Sequence, residues 1–263
     1  RASPLRGAIP IPGDKSISHR SLIFGSLAIG TTRVRGLLEG TDVMSTKDAL
    51  IALGVKISRD NDGLWHIVGV GLNGMISPAT PLDLGNSGTG ARLLMGVVAG
   101  QRITATFCGD ASLSARPMAH ITDPLTKMGA TITSREGGLL PVTIQGNRSL
   151  MAAHHCSEIA SAQIKSAILL AGLNARGTTI VSEPSASRDH SESMLRHFGA
   201  SISQEVADDK SHRVKLADGA HLRAADVIVP SDPSSAAFAI VAALITPGSD
   251  IILCGIGMNP LRT

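Results

Sequence analysis

The chain has 263 residues, 43% of them hydrophobic, which is enough to build a sizeable core in one large or two medium domains. Its formal net charge is only +3, its basic residues do not form blocks, and it contains one Trp, four Phe and no Tyr. This composition argues against a nucleic-acid-binding surface, which needs a basic stripe or stacking aromatic residues.

The sequence also argues against a membrane or secreted protein. Its longest apolar run, residues 236–245, is far shorter than the roughly 20 residues of a bilayer-spanning helix. The opening residues, RASPLRGAIPIPG, show no targeting signal. Cys108, Cys156 and Cys254 are odd in number and far apart, so we expect no disulfide framework and a reducing, cytoplasmic location.

Four stretches of the chain share one pattern, with small polar residues, an apolar helical run, a break at Gly or Pro, and a short β-rich run. They are KSISHRSLIFGSLAIGTTRVRG, NSGTGARLLMGVVAGQRITATFCG, SAQIKSAILLAGLNARGTTIVSEP and DPSSAAFAIVAALITPGSDIILCG. Their starts, Lys15, Asn86, Ser161 and Asp232, are separated by 71, 75 and 71 residues. The pattern therefore predicts a repeating helix–strand unit.

A second phrase lies between these stretches, as ALIALGVKIS, PLTKMGATIT and MLRHFGASIS. Each reads as a helix end, a glycine just beyond it (Gly54, Gly129 and Gly199) and an alternating strand. Each unit thus has two helices, each followed by a strand, and further strand residues such as LWHIVGV and PVTIQG. Units of this size favour an α/β domain over a solenoid. Three units are complete, and a fourth starts at Asp232, so we expect the chain to end inside a unit; a short final hairpin is the alternative.

Anion-like motifs recur at the start of the first helix of each unit, as GDKSISHR, LGNSGTGAR and SAQIKS. A helix N-terminus presents unpaired N–H groups and the positive end of its dipole, so three such ends gathered by symmetry would bind an anion. The alternative is that Ser, Asp and Asn stand there only as helix caps.

The stretch GNSGTGAR, residues 85–92, has three glycines that would let a ligand approach the backbone closely. It matches neither the P-loop nor the dinucleotide-binding fingerprint, so a purely structural helix start is equally consistent with it.

Two arginines lie in predicted loops. Arg116 precedes a proline, where an extended backbone is favoured, and Arg188 lies among hydroxyl residues after a predicted strand. Each could aim its planar fork at a phosphate or carboxylate, or remain a solvated surface residue.

Other chemistry has little support. His154, His155 and Cys156 are adjacent and have no second ligand pair at zinc-like spacing, so we expect no metal site. No nucleophile elbow or Cys paired with a base indicates covalent catalysis. Asp232 with Ser234 and Ser235 is interpreted as a further helix cap at a domain crossing.

Six motifs resemble one known family in order along nearly the whole chain. They are PGDKSISHR, LGNSGTGARLLMG, GDASLSARPM, SAQIKSAILLAGL, EPSASRDHSESML and DPSSAAFAIVAAL. They resemble the 5-enolpyruvylshikimate-3-phosphate synthase family (3-phosphoshikimate 1-carboxyvinyltransferases). Their residues are similar to those of the branch called class II, which includes glyphosate-tolerant bacterial enzymes.

The resemblance implies that shikimate 3-phosphate and phosphoenolpyruvate are joined with release of phosphate, on the pathway to aromatic amino acids and without a metal or organic cofactor. It implies that Lys15 is catalytic and contacts both substrates. The residues implied for shikimate 3-phosphate are Lys15, Ser16, Arg20, Ser161, Ala162, Gln163 and Arg188. Those implied for phosphoenolpyruvate, or for the competing inhibitor glyphosate, are Lys15, Gly88, Arg116 and Gln163. Tolerant relatives of this branch carry alanine at the position of Gly88.

The implied fold is the α/β enolpyruvyl transferase fold, in which each of two inside-out barrel domains has three βαβαββ units and the chain crosses between them twice. Residues 13–229 would form one complete domain, and residues 1–12 and 230–263 part of the second. The family chain is longer, so its catalytic aspartate and its carboxylate-binding arginines would lie beyond Thr263, and this chain alone is expected to be an inactive fragment. The complete enzyme is expected to be a monomer.

Two alternatives remain open at this point. One is UDP-N-acetylglucosamine enolpyruvyl transferase, which shares the fold and phosphoenolpyruvate but has a different opening motif. The other is a non-catalytic fragment that only binds shikimate 3-phosphate or a partner chain.

Overall fold

A computed structural model describes residues 3–262. Positions 1, 2 and 263, which belong to the predicted second-domain segments, lie outside the described residues. The helices are α1 (Lys15–Leu27), α2 (Thr41–Ala52), α3 (Gly88–Ala99), α4 (Ala111–Ser114), α5 (Ala119–Lys127), α6 (Ala162–Gly172), α7 (His190–His197) and α8 (Pro233–Leu244). The strands are β1 (Arg6–Ile9), β2 (Ile29–Arg35), β3 (Lys56–Arg59), β4 (Trp65–Val70), β5 (Leu82–Asp83), β6 (Thr104–Cys108), β7 (Thr131–Arg135), β8 (Leu139–Gln145), β9 (His154–Cys156), β10 (Thr179–Glu183), β11 (Ile202–Val206), β12 (His212–Leu216), β13 (Val227–Ile228) and β14 (Asp250–Leu253).

The predicted repeat is confirmed by three four-stranded sheets of one topology. Their strand orders are β13-β2-β4-β3, β5-β6-β8-β7 and β9-β10-β12-β11. In each sheet the first pair is parallel and the other two pairs are antiparallel. The mixed α/β fold class predicted from the sequence is therefore confirmed.

One strand reaches its sheet from a distant part of the chain. The first sheet takes its first strand from β13, whose Val227 pairs with Val34 of β2, whereas the other two sheets are continuous in sequence. A separate two-stranded sheet joins β1 to β14 in parallel. The two ends of the described chain are thereby held together.

The predicted glycine caps are also confirmed. Gly54, Gly129 and Gly199 follow the ends of α2, α5 and α7 with φ angles of +95°, +111° and +94°. These are values that residues with a Cβ rarely adopt, so each glycine stops its helix and turns the chain into the next strand.

The core forms where the long apolar helices meet. Helices α1, α3 and α6 are buried along most of their length. Helices α3 and α6 can pack closely because Gly96 has no Cβ, which would collide with the carbonyl of Ala167. The equally apolar α8 buries only Ala236 and leaves Phe238 82% exposed. Among residues 3–262, no helix is both long and apolar enough to cross a bilayer.

Candidate active site

The N-termini of four helices meet at one cavity of about 180 Å³. Its lining comes from the first two turns of α1, from the first turns of α3, α6 and α8, from the loop before α7 and from the last described residue. The lining residues are Lys15, Ser16, Arg20, Thr89, Ala162, Gln163, Arg188, Asp232, Ser234 and Arg262. The sequence analysis expected the starts of α1, α3 and α6 to come together, and each of them contributes lining residues. The start of α8, which it interpreted only as a helix cap, contributes as well.

The cap interpretation of these motifs is confirmed as well. Asp14 Oδ1 accepts a hydrogen bond from the Ile17 N–H at 2.8 Å, and Ser161 Oγ accepts one from the Ile164 N–H at 3.4 Å. Asp232 caps α8 by accepting from the Ser234 N–H at 2.8 Å. The capping residues and the cavity residues are thus neighbours in the same first turns, so the two interpretations are compatible.

Arg20 lies at the buried end of the cavity and is only 2% exposed. Its Nε donates to Ser191 Oγ and its Nη2 to Ser166 Oγ, both at 2.7 Å, and its Nη1 donates to Ser16 Oγ at 2.7 Å and to the Ser16 carbonyl at 3.1 Å. These partners are neutral, so they orient the guanidinium and leave its charge unpaired at contact distance. Burial lowers the pKa of Arg20 to about 10, and the guanidinium therefore stays protonated at neutral pH.

Lys15 lies at the open end of the cavity. Its side chain is 52% exposed, and its Nζ forms an ion pair with Asp42 Oδ2 at 2.8 Å. Asp42 is in the first turn of α2, where a carboxylate also complements the helix dipole. The pair holds the ammonium in place at a small energetic gain, since exposed ion pairs contribute about 0 to 1 kcal/mol.

A polar bridge joins α3 to α6 beside the cavity. Gln163 accepts a hydrogen bond from Arg92 Nη1 on its Oε1 at 2.6 Å and donates from Nε2 to Thr89 Oγ1 at 2.9 Å. Partial burial, followed by repulsion from Arg116, lowers the pKa of Arg92. Gln163 is thus held in one orientation between the two helices.

Gly88 and Arg116 lie beside this bridge and do not line the cavity itself. A Cβ on Gly88 would stand 3.3 Å from Arg116 Nη1 and 3.4 Å from Arg92 Nη1, so the first residue of α3 faces two guanidinium groups. Arg116 Nη2 donates to Asn86 Oδ1 at 2.6 Å and to Ser112 Oγ at 3.0 Å. Two cations next to a helix N-terminus suit a second anionic group.

The cavity carries an excess of positive charge. Lys15, Arg20, Arg188 and Arg262 all line it, and Asp232 is the one acid among the lining residues named above. Arg262 Nη2 lies 3.3 Å from Asp232 Oδ1 and donates to Ser234 Oγ at 2.6 Å. Within residues 3–262, Arg188 makes no hydrogen bond or ion pair, so its guanidinium is available to a ligand.

A larger cavity of about 620 Å³ is less suited to an anion. It lies at the opposite, C-terminal ends of α1 and α6, where Leu27 and Leu173 form part of its wall. Helix C-termini present carbonyl groups and the negative end of the dipole, which repel anions. The smaller cavity is therefore the candidate site. Among the described residues, no cluster of three or more His, Cys, Asp or Glu side chains could hold a metal ion.

Six of the candidate residues named from the sequence line the cavity, namely Lys15, Ser16, Arg20, Ala162, Gln163 and Arg188. Ser161 lies one residue outside it as the cap of α6. The sequence analysis missed Arg92 and Arg262. Arg92 could have been found from its helical spacing, four residues after Gly88. Arg262 carries no local signal, because its approach to Asp232 joins positions 30 residues apart.

The fold and the cavity together define a mixed α/β protein in which helix N-termini and cations converge on one site that suits an anion. The family model for EPSP synthase (3-phosphoshikimate 1-carboxyvinyltransferase) matches residues 1–263. The chain belongs to this family, as the resemblance of its motifs predicted.

Relatives and solved structures agree with that assignment. A 3-phosphoshikimate 1-carboxyvinyltransferase of Methylorubrum populi is 58% identical over 100% of this chain and 58% of its own length, and one of Novosphingobium aromaticivorans is 54% identical over 98% and 59%. The structure of EPSP synthase from Acinetobacter baumannii superposes with a TM-score of 0.91 at 46% identity, covering 99% of this chain and 57% of that one. The chain thus spans less than two thirds of the length of these proteins.

Proposed function

We propose that this chain forms part of an enzyme that transfers the enolpyruvyl group of phosphoenolpyruvate to the 5-hydroxyl of shikimate 3-phosphate and releases phosphate, in aromatic amino acid biosynthesis. The observation that carries the proposal is a cavity at which four helix N-termini meet Lys15, Arg20, Arg188 and Arg262. Both substrates are polyanions, and fixed donors and cations are the groups that hold two of them side by side.

The proposal divides the site into two parts. Ser16, Arg20, Ser161, Ala162, Gln163 and Arg188 hold shikimate 3-phosphate, while Gly88, Arg116 and Gln163 hold phosphoenolpyruvate or glyphosate. The burial of Arg20 and the unpaired Arg188 support the first part, and the two guanidinium groups facing Gly88 support the second. Gln163 belongs to both parts because it bridges α3 and α6.

Lys15 is the proposed catalytic residue in this chain. In the reaction, the 5-hydroxyl oxygen bonds to C2 of phosphoenolpyruvate while C3 gains a proton and the hydroxyl loses one, and the C2–O bond to phosphate then breaks as the C3 proton leaves. An ammonium at the open end of the cavity stabilises the negative charge on both substrates and can also transfer a proton.

We also propose that residues 13–229 form one complete domain and that residues 1–12 and 230–263 belong to a second. The separate β1–β14 sheet and the exposed apolar surface of α8 support this division. In the same proposal the complete enzyme is a cytoplasmic monomer whose partners are its small-molecule substrates, and it needs no metal or organic cofactor.

Phosphate release and product formation test the function. The 263-residue chain should be inactive alone, because an incomplete site admits water and lacks part of its substrate-binding groups. The same chain fused to the portion of the Methylorubrum populi relative that it does not match should convert shikimate 3-phosphate. Turnover of UDP-N-acetylglucosamine in its place would contradict the proposal, as would binding of shikimate 3-phosphate without turnover by the fusion.

A further inference from the structure

Three buried charged residues lie behind the candidate site and do not line its cavity. Lys165 Nζ of α6 lies 2.8 Å from Glu183 Oε2 at the end of β10 and 2.7 Å from Glu192 Oε1 of α7. The three side chains are 3%, 1% and 1% exposed. Exchanging such a cluster for apolar residues is often neutral or stabilising, so its presence calls for a reason other than stability.

The two carboxylates of this cluster differ in what else they contact. Glu183 Oε1 accepts a hydrogen bond from the Ser161 N–H at 2.7 Å, and both of its oxygens lie within 2.9 Å of Ser187 Oγ, which donates to them. Glu192 makes neither contact, although it shares Lys165 with Glu183. Glu183 therefore joins two segments that Glu192 does not touch.

Both joined segments lead directly into the cavity. Ser161 is the cap of α6 and precedes Ala162 and Gln163, and Ser187 precedes Arg188. A carboxylate that holds both segments fixes the distance between the α6 N-terminus and the Arg188 backbone. When supporting hydrogen bonds are missing, the residues of a site can be misplaced by about 1 Å, and such a misplacement can lower activity by as much as ~100-fold.

The charge of the cluster is balanced across the site. Lys165 compensates one of the two carboxylates, and Arg20 stands on the other side of Ser166 and Ser191, with Glu192 supporting its charged form. Glu183 is thus able to remain an acceptor for three donors while Arg20 keeps neutral contact partners. The three residues of the cluster do not line the cavity, so the cavity keeps its excess of positive charge.

We propose that Glu183 is a positioning residue whose buried carboxylate ties the N-terminus of α6 to residues 187 and 188 and so sets the width of the shikimate 3-phosphate site. The proposal rests on the proposed function for the identity of the ligand. The tether itself does not depend on that function.

The test compares Glu183→Gln with Glu192→Gln in the 263-residue chain. Both variants replace a carboxyl group of the same buried cluster with an amide, but only the first disturbs the tether. Titration calorimetry with shikimate 3-phosphate should show a loss of affinity of about tenfold or more for Glu183→Gln and less than about threefold for Glu192→Gln. Residue-resolved amide exchange without ligand should become faster at Ser161 and at residues 187 and 188 in Glu183→Gln alone.

Equal losses of affinity in the two variants, or unchanged exchange at these amides, would overturn the proposal. If Glu183→Gln does not fold, Ser187→Ala provides the test, because it removes one of the two contacts of the tether. This variant should have faster amide exchange at residues 187 and 188 and about threefold weaker binding. Unchanged exchange and unchanged binding would refute the tether. If neither the unmodified chain nor its fusion binds shikimate 3-phosphate, the proposed ligand is wrong, and the exchange comparison still supports or overturns the tether.

Discussion

The two sides of the cavity are built differently. On the buried side, Arg20 is 2% exposed and donates four hydrogen bonds, to serine hydroxyls and one carbonyl. On the open side, Lys15 is 52% exposed and pairs with Asp42, and next to the cavity Arg116 is held by exposed contacts to Asn86 and Ser112. The buried side is fixed before a ligand arrives, whereas the open side can change its partners when a ligand arrives. Rigid, desolvated donors favour affinity, and accessible cations favour chemistry that follows binding.

The largest expected effect is on the open side. In the active fusion, Lys15→Ala should lower kcat/KM by about 100-fold or more, because it removes the ammonium proposed to contact both anions. Its melting temperature should stay close to that of the parent, since the Lys15–Asp42 pair is exposed. Lys56→Ala, an exposed lysine on β3, is the control and should leave both quantities unchanged. Near-parental turnover by Lys15→Ala would remove Lys15 from the mechanism.

A change on the buried side should affect binding and stability together. Arg20→Ala should weaken shikimate 3-phosphate binding to the 263-residue chain by about tenfold or more, since a buried, hydrogen-bonded cation is lost. It should also lower the melting temperature, because Ser166 and Ser191 lose their donor and Glu192 loses a nearby positive charge. Arg116→Ala should lower neither the affinity for shikimate 3-phosphate nor the melting temperature. Calorimetry and thermal unfolding of both variants test this expectation, and equal losses in the two variants would contradict the difference between the two sides.

Gly88→Ala probes the phosphoenolpyruvate part of the open side. The added Cβ would stand 3.3 and 3.4 Å from two arginine tips, which are flexible enough to yield by a few tenths of an ångström. In the active fusion we expect the inhibition constant for glyphosate to rise by about tenfold or more, equivalent to ~1.4 kcal/mol, with a smaller loss of affinity for phosphoenolpyruvate. Equal glyphosate inhibition constants before and after the change would show that Gly88 does not border the inhibitor.

A further expected effect concerns acid stability on the buried side. His19 of α1 contacts Thr46 Oγ1 through Nδ1 at 2.9 Å, and burial, aided by Arg20, lowers its pKa from 6.5 to about 3. Below pH 6.5 the unfolded chain binds a proton that the folded chain does not, so stability should fall as the pH decreases from 6.5 towards 3.

His19→Gln should reduce this pH dependence when the free energy of unfolding is measured in urea at pH 7 and pH 5. A smaller dependence should remain, since burial also lowers the pKa values of His120, His155 and His190. His197→Gln, at an exposed position, is the control, and an identical pH dependence in both variants would contradict the role of His19.

Much of the site was predictable because its residues stand in local motifs. Ser16 and Arg20 are four residues apart and lie on one face of α1, Lys15 is the first residue of the same helix, and Ala162 and Gln163 follow a cap residue, so helix geometry alone brings them to one end of their elements. The buried partners of Arg20 were not predictable. Ser191 stands 171 residues away from Arg20 and Ser166 stands 146 away, and no local pattern relates positions so distant.

The sequence by itself determined where helices begin and end, since caps such as Asp14 and glycines such as Gly54 act through hydrogen bonds and φ angles within a few residues. Only the tertiary structure decided which of two equally apolar helices is buried, α3 inside the core and α8 at the surface. It also decided that β13 completes the sheet of β2, and that Lys165, Glu183 and Glu192 share one charge cluster. Local signals depend on neighbours along the chain, but burial and ion pairing depend on neighbours in space, which only the assembled units supply.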